Sequence, residues 1–346
     1  MSTDFALMSA NDWRMACRMA FGGFVGWALA TLFGWSYVVY YAVYPLVLIG
    51  LAPAYDRHIA LQFLASAPTG MIAAGIMVGV LSAYPVAMTA AYLGFVIVCF
   101  VLMTGPRKLF MYGAVSLAVC SGLVHYGSYP YPEMAWEELF WGAGGALTCS
   151  VVLYVLAFAL FPDAEPRPPR IPPPRSAAQR RHLILLCTFG ATGSFIFFQL
   201  FEMSDSLSAQ MATVLILLGM THDGIWNAGR SRLVGSVVGS VHAVLIQLLV
   251  SSYTSFWPLT ACAYLAGLLW FSVDHARDRT GPGRGFAAVT ALAILYGLLN
   301  PTDDLIRNSL YRGVSVVVSI SVMLVFISLL HYLLNRFPRT RWEVAA

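Results

Sequence analysis

Long apolar stretches alternate with short polar breaks along the whole chain. Twelve stretches are legible, over residues 17–34, 36–54, 59–82, 86–104, 109–127, 136–160, 182–201, 206–221, 231–251, 256–273, 285–299 and 309–334. Each predicts a helix, since about 20 apolar residues span a bilayer and a helix satisfies its own backbone polar groups there. Only Gly34-Trp35-Ser36 divides the first two stretches, and the eighth is short. Those are the places where a hairpin would stop short of a full crossing.

The polar breaks orient the chain. With the N-terminus inside, 18 of the 20 Lys and Arg fall at the cytoplasmic side, leaving Arg307 and Arg312 outside. Seven acids occupy the outer breaks: Glu133, Glu137, Glu138, Glu202, Asp205, Asp303 and Asp304. That asymmetry follows the positive-inside rule and places both termini in the cytoplasm. Trp35, Trp136 and Trp257 mark outer ends of the stretches, and Trp13, Trp226 and Trp342 mark inner ones.

One segment departs from the alternation. Residues 161–181, FPDAEPRPPRIPPPRSAAQRR, hold seven prolines and five arginines. Such a run favours extended, semi-rigid conformations, so it predicts a cytoplasmic spacer. It divides the chain into residues 1–160, residues 182–335 and a tail, 336–346.

The two halves resemble each other. FGGFVGWALATLFG at 21–34 is similar to FGATGSFIFFQLFE at 189–202, an offset of 168 residues. LVLIGLAPAYD at 46–56 is similar to ILLGMTHDG at 216–224, and FWGAGGALTCSVVLYVL at 140–156 to YRGVSVVVSISVMLVFI at 311–327. Duplicating an even number of crossings keeps both copies in one orientation. The expected architecture is therefore an all-α polytopic membrane protein of about 12 transmembrane helices. Two parallel six-helix repeats would be related by a pseudo-twofold axis along the membrane normal.

Composition agrees with the pattern. Of 346 residues, 59% are hydrophobic and 10% charged, against about 25% charged in soluble domains. No cleavable signal peptide is expected, because residues 1–16 are mixed and polar. The six cysteines stand singly in apolar runs, without metal or disulfide spacing. No metal, cofactor or nucleic-acid partner is expected, and no Gly-x-Ser-x-Gly or His-Glu-x-x-His set points to an enzyme.

Candidate chemistry gathers around NAGRSRLVGSVVGSVHAVLI at 227–246. The glycines lack the Gly-Lys-Ser/Thr ending of a phosphate loop. Gly235 and Gly239 are spaced for close helix packing, as is Gly70 at the matching place in the first half. There ASAPTG at 65–70 puts Pro68 and Thr69 inside a crossing. A broken helix in each copy would mark a transport site. Arg230 and Arg232 at the start of the ninth stretch read either as positive-inside anchors or as a mouth collecting anions with free helix-end N–H groups.

His242, at mid-crossing, reads as a lining residue of a polar path or as a packed neutral imidazole. Arg312 reads as an interface anchor or a pore-mouth residue. At the inner ends of equivalent stretches, Asp56 with His58 and His222 with Asp223 pair an acid with a histidine. Such pairs carry protons or simply face solvent.

The stretch from 206 to 246, an apolar span, a polar turn, then Arg232-Leu233-x-Gly235-Ser236-x-x-Gly239, resembles the fusaric acid resistance and aromatic acid exporter superfamily. Arg312-Gly313 is similar to that family's second arginine-led span. The resemblance implies an inner-membrane efflux transporter for aromatic or other organic carboxylate anions, working with a periplasmic adaptor (membrane fusion) protein; a homo-oligomer is a separate expectation. Proton exchange is the expected drive. A passive organic-anion channel and a non-transporting membrane scaffold stand as alternatives. Larger members carry a folded cytoplasmic domain between the halves, where this chain has only the proline spacer.

Overall fold

The computed structural model describes residues 8–52, 54–105, 109–128, 136–165, 175–201, 207–250, 257–278, 283–297 and 305–342. Among them are twelve helices and no strand: α1 (Ala10–Leu32), α2 (Val38–Leu51), α3 (Arg57–Gly79), α4 (Pro85–Thr104), α5 (Phe110–Gly127), α6 (Trp136–Leu160), α7 (Ala177–Leu200), α8 (Leu207–Leu217), α9 (His222–Val250), α10 (Trp257–Asp278), α11 (Arg284–Gly297) and α12 (Leu305–Asn335).

Each expected stretch holds one helix, but twelve full crossings do not follow. Seven described segments are long and apolar enough to cross a membrane: α1, α3, α4, α5, α6, α7 and residues 313–335 of α12. The apolar helices α2 and α11 have 14 residues each, about 21 Å of rise against a core of about 30 Å. The 11 residues of α8 are shorter still. The protein is a multi-pass, all-helical membrane protein.

Local signals start the first helix of each half in the same way. Ser9 caps α1 with Asp12 returning the bond, and Ser176 caps α7 with Gln179. Each box satisfies two N–H groups that a helix start leaves free. It also explains why α7 begins at Ala177, inside the stretch expected as spacer, and not at 182. The other end of that stretch is pinned to α1. Arg18, fully buried, donates to Phe161 O at 2.7 Å and Asp163 Oδ1 at 2.6 Å, and its guanidinium lies 3.9 Å from the Phe158 ring centroid.

By packing, the chain forms two compact units, residues 1–60, 145–168 and 231–313, and residues 61–144, 169–230 and 314–346. In the first, α1 packs on α2 and α10, and α11 packs on α10 and α2, closing a ring of four helices. In the second, α4 packs on α5 and α7, and α8 packs on the same two, closing another. Each ring thus takes the first two helices of one half and the fourth and fifth helices of the other.

The ring interiors are aromatic and tight. In the first, Gly26 brings α1 onto the Tyr41 carbonyl of α2, where any Cβ would collide. Trp27 lies 5.0 Å from Tyr264, which stacks on Tyr296 at 4.6 Å. In the second, Phe195 stacks on Tyr92 at 4.2 Å. Phe195 follows Trp27 by 168 residues, and Ala91-Tyr92-Leu93 repeats as Ala263-Tyr264-Leu265.

The interruptions expected in both halves are absent. α3 runs unbroken through Pro68 and α9 through Gly235 and Gly239. A proline inside a membrane helix forfeits a single hydrogen bond, and a packed neighbour keeps the segment in line. For α3 that neighbour is α5, where a Cβ on Gly70 would sit 2.8 Å from Ser116 O.

Candidate functional site

α9 starts at His222, a full ten residues before Arg232. The two arginines therefore lie about 12–15 Å inside the helix. The free N–H groups of the α9 start are not beside them, which removes the helix-end half of the expected anion mouth. The hydropathy pattern missed this first portion of the helix because its residues are polar.

Arg230 and Arg232 have separate environments. Arg230 is exposed, while Arg232 is 7% exposed. Two residues turn a helix by about 200°, so the two side chains leave opposite faces. The Arg232 face continues through Gly235, Ser236 and Gly239, all buried. It lies against α11: Gly235 meets the Arg284 carbonyl, and a Cβ on Gly239 would stand 2.5 Å from Ala288 O. The opposite face, Val234, Val237, Val238 and Val241, is exposed.

Arg232 Nε is buried with no hydrogen-bond partner among the described residues. A guanidinium in that state carries a large desolvation cost, which an anion relieves best, because its planar fork takes a carboxylate through two parallel N–H bonds. Other buried polar tips with no hydrogen-bond partner among the described residues stand in the same unit. They are Trp257 Nε1, Thr260 Oγ1, Tyr264 OH and Ser272 Oγ on α10, and His275 Nδ1 at its end. His275 Nε2 is 3.3 Å from Gly50 O. Sequence reasoning had no signal for this row, since isolated hydroxyls and aromatics on an apolar helix read as packing.

The remaining candidates are dispersed. His242 is half-buried with its ring 5.2 Å from Phe271, about 15 Å along α9 from Arg232. Pro68 is exposed, and Thr69 Oγ1 lies 2.6 Å from Tyr112 OH. Asp56 Oδ1 accepts from His58 N–H at 2.8 Å, and its own N–H donates to Tyr154 OH at 2.9 Å. Asp56 thereby closes the start of α3, and the His58 side chain is exposed. His222 Nδ1 is 3.3 Å from Asp223 Oδ1, with the His222 ring stacked 4.2 Å from His331. The Arg312 side chain lies outside the described residues. Among the described residues no group of three or more His, Cys, Asp or Glu is placed to hold a metal ion.

Comparison with known families divides the chain at the spacer. Residues 192–326 match the family described as fusaric acid resistance protein-like. Residues 15–159 match the family described as protein of unknown function (DUF2955). No curated protein and no solved structure matches the chain.

Proposed function

Because the chain carries a fusaric acid resistance protein-like domain within a multi-pass helical membrane protein, we propose that it exports organic carboxylate anions, aromatic acids foremost, across a bacterial inner membrane. Protons moving inward drive the export, and both termini face the cytoplasm. A periplasmic adaptor receives the released acid.

The observation that carries this reading is Arg232. Its cation is 7% exposed, its Nε has no partner among the described residues, and it stands on a helix face of small residues packed against α11. A buried cation held this way stays costly unless an anion visits it. A scaffold has no use for that arrangement. We assign substrate contact to Arg232 first, with Ser236 one turn on. Arg230, His242, Pro68, Thr69 and Arg312 stay as further substrate-binding candidates, each in its own unit, and Asp56, His58, His222 and Asp223 are the candidate proton carriers.

We also read residues 1–160 and 182–335 as parallel repeats joined by 161–181. The composition of the two rings supports this. Exchanging the fourth and fifth helices between copies is the arrangement a duplicated bundle produces when each copy completes the other.

The test is export of a labelled aromatic acid from preloaded cells, with and without the gene, followed by collapse of the proton gradient. A carrier stops when the gradient collapses. Continued export down the acid's own gradient would make the protein a passive channel. Equal sensitivity of both strains to a panel of aromatic acids would remove the export reading.

A further inference from the structure

Three histidines remote from one another in sequence meet in the second unit. His182 enters from the first turns of α7, His222 from the start of α9 and His331 from the last turns of α12. His182 Nε2 lies 2.8 Å from His331 Nδ1, and the His222 ring stacks on the His331 ring at 4.2 Å and 23°. His182 is fully buried. Around them folds the segment after α12. Thr340 O is 2.6 Å from His182 Nδ1, and the Trp342 ring meets His182 edge-on at 5.6 Å. Trp342 N–H donates to Asn335 Oδ1 at 2.8 Å, and Asn335 Nδ2 lies 3.0 Å from His331 Nε2.

The partners fix every proton in this chain. A carbonyl only accepts, so His182 Nδ1 donates to Thr340 O. A neutral His182 then has Nε2 free to accept, and His331 Nδ1 donates to it. His331 Nε2 must therefore accept, and it does so from the Asn335 amide. The Asn335 oxygen is left to hold Trp342 N–H. All four ring nitrogens are satisfied with both imidazoles neutral.

One added proton breaks the pattern. An imidazolium at His331 turns Nε2–H toward the Asn335 NH2 group, and two donors then face each other. Rotating the amide repairs that contact but points its NH2 at Trp342 N–H, which loses its acceptor. A proton on His182 Nε2 meets the His331 donor and sends the same reversal along the chain. Charge adds to this. The groups facing His331 are His182 from α7, and His222 with its exposed partner Asp223 from α9. Arg341 from the tail reaches the Asn335 carbonyl at 3.4 Å. Arg336 is drawn away onto Tyr332. Two cationic imidazoles within stacking distance repel.

We propose that the His182–His331–His222 cluster is a proton-operated latch on the C-terminal segment: neutral histidines hold residues 336–342 against α7 and α12, and protonation releases them. The sign follows from the bonding. The closed state needs neutral rings and takes up a proton less readily than a free imidazole does, so it persists below the free value of about pH 6.5 and opens only at lower pH. The released segment reports cytoplasmic acidification if the tail faces inward, and does so independently of what the protein transports.

The experiment uses the full chain in nanodiscs, cysteine-free apart from a spin label at Arg339→Cys. Arg339 is exposed and next to Thr340. The label is expected to be immobilised at about pH 8 and predominantly mobile at about pH 4, reversibly. Asn335→Asp supplies the decisive comparison. A carboxylate accepts both from an imidazolium Nε2–H and from Trp342 N–H, so this variant holds the tail best when His331 is charged. Its response is expected to invert, immobile at low pH and looser at high pH. Unchanged mobility of the native chain across that range, or a response in Asn335→Asp of the same sign as in the native chain, would overturn the latch.

Discussion

The rings of Trp27 and Tyr264 lie 5.0 Å apart inside the first helix ring, and the Tyr264 hydroxyl is buried without a partner among the described residues. Its counterpart Tyr92, stacked on Phe195, bonds Ser121 Oγ at 2.7 Å. The two tyrosines share burial and aromatic packing and differ in the fate of one hydroxyl. Tyr92→Phe is therefore expected to lose about 1–2 kcal/mol, because it strands a buried Ser121. Tyr264→Phe should be neutral or gain up to about 1 kcal/mol. Thermal unfolding in one detergent measures both. If Tyr264→Phe is stable yet lowers export, the hydroxyl serves the transported acid.

The buried arginine should tolerate lysine poorly. Arg232→Lys keeps the charge but loses the forked geometry, so expression and insertion are expected to persist while most export is lost. Arg230→Lys, exposed on the opposite face, should transport close to normally. Both residues have the same charge at nearly the same depth, so a general loss of basicity would affect them alike. Equal, near-native export by the two variants would move the substrate site away from Arg232.

The α9–α11 seam depends on missing side chains. Gly239→Ala places a methyl 2.5 Å from the Ala288 carbonyl oxygen, backbone that cannot step aside alone. A loss of about 1–3 kcal/mol is expected from the forced separation. Gly94 in α4 has nothing within 4 Å of its added Cβ, so Gly94→Ala should be neutral or stabilising by up to about 1 kcal/mol. The same melting measurement separates them, and equal losses would count against tight packing at Gly239.

Orientation is open to a labelling experiment in intact cells. In a cysteine-free background, Ser176→Cys at the start of α7 should resist a membrane-impermeant thiol reagent. Ser128→Cys after α5 should react. The opposite pattern would invert every inside and outside assignment made from the basic residues.

Much of the molecule was legible in one dimension. Each apolar stretch became a helix, although the Ser-x-x-Asp and Ser-x-x-Gln boxes start α1 and α7 ahead of the apolar pattern, at Ala10 and Ala177 and not at 17 and 182. These features depend on neighbours within a few residues, so they are written in the order of the chain. The likeness of residues 192–326 to the fusaric acid resistance protein-like family is likewise carried by the order of the chain.

The partnering of helices was not legible, and hydropathy explains why. A helix apolar on all sides looks the same toward lipid as toward protein, so nothing in its hydrophobicity says that α1 and α2 close a ring with α10 and α11. Exposure was likewise hidden: Arg230 and Arg232 are indistinguishable by charge and depth, and only the seating of α9 on α11 buries one of them. His182 and His331 stand 149 residues apart and form no motif. Their hydrogen bond exists because the start of α7 lies beside the end of α12, a fact of packing that no local spacing encodes.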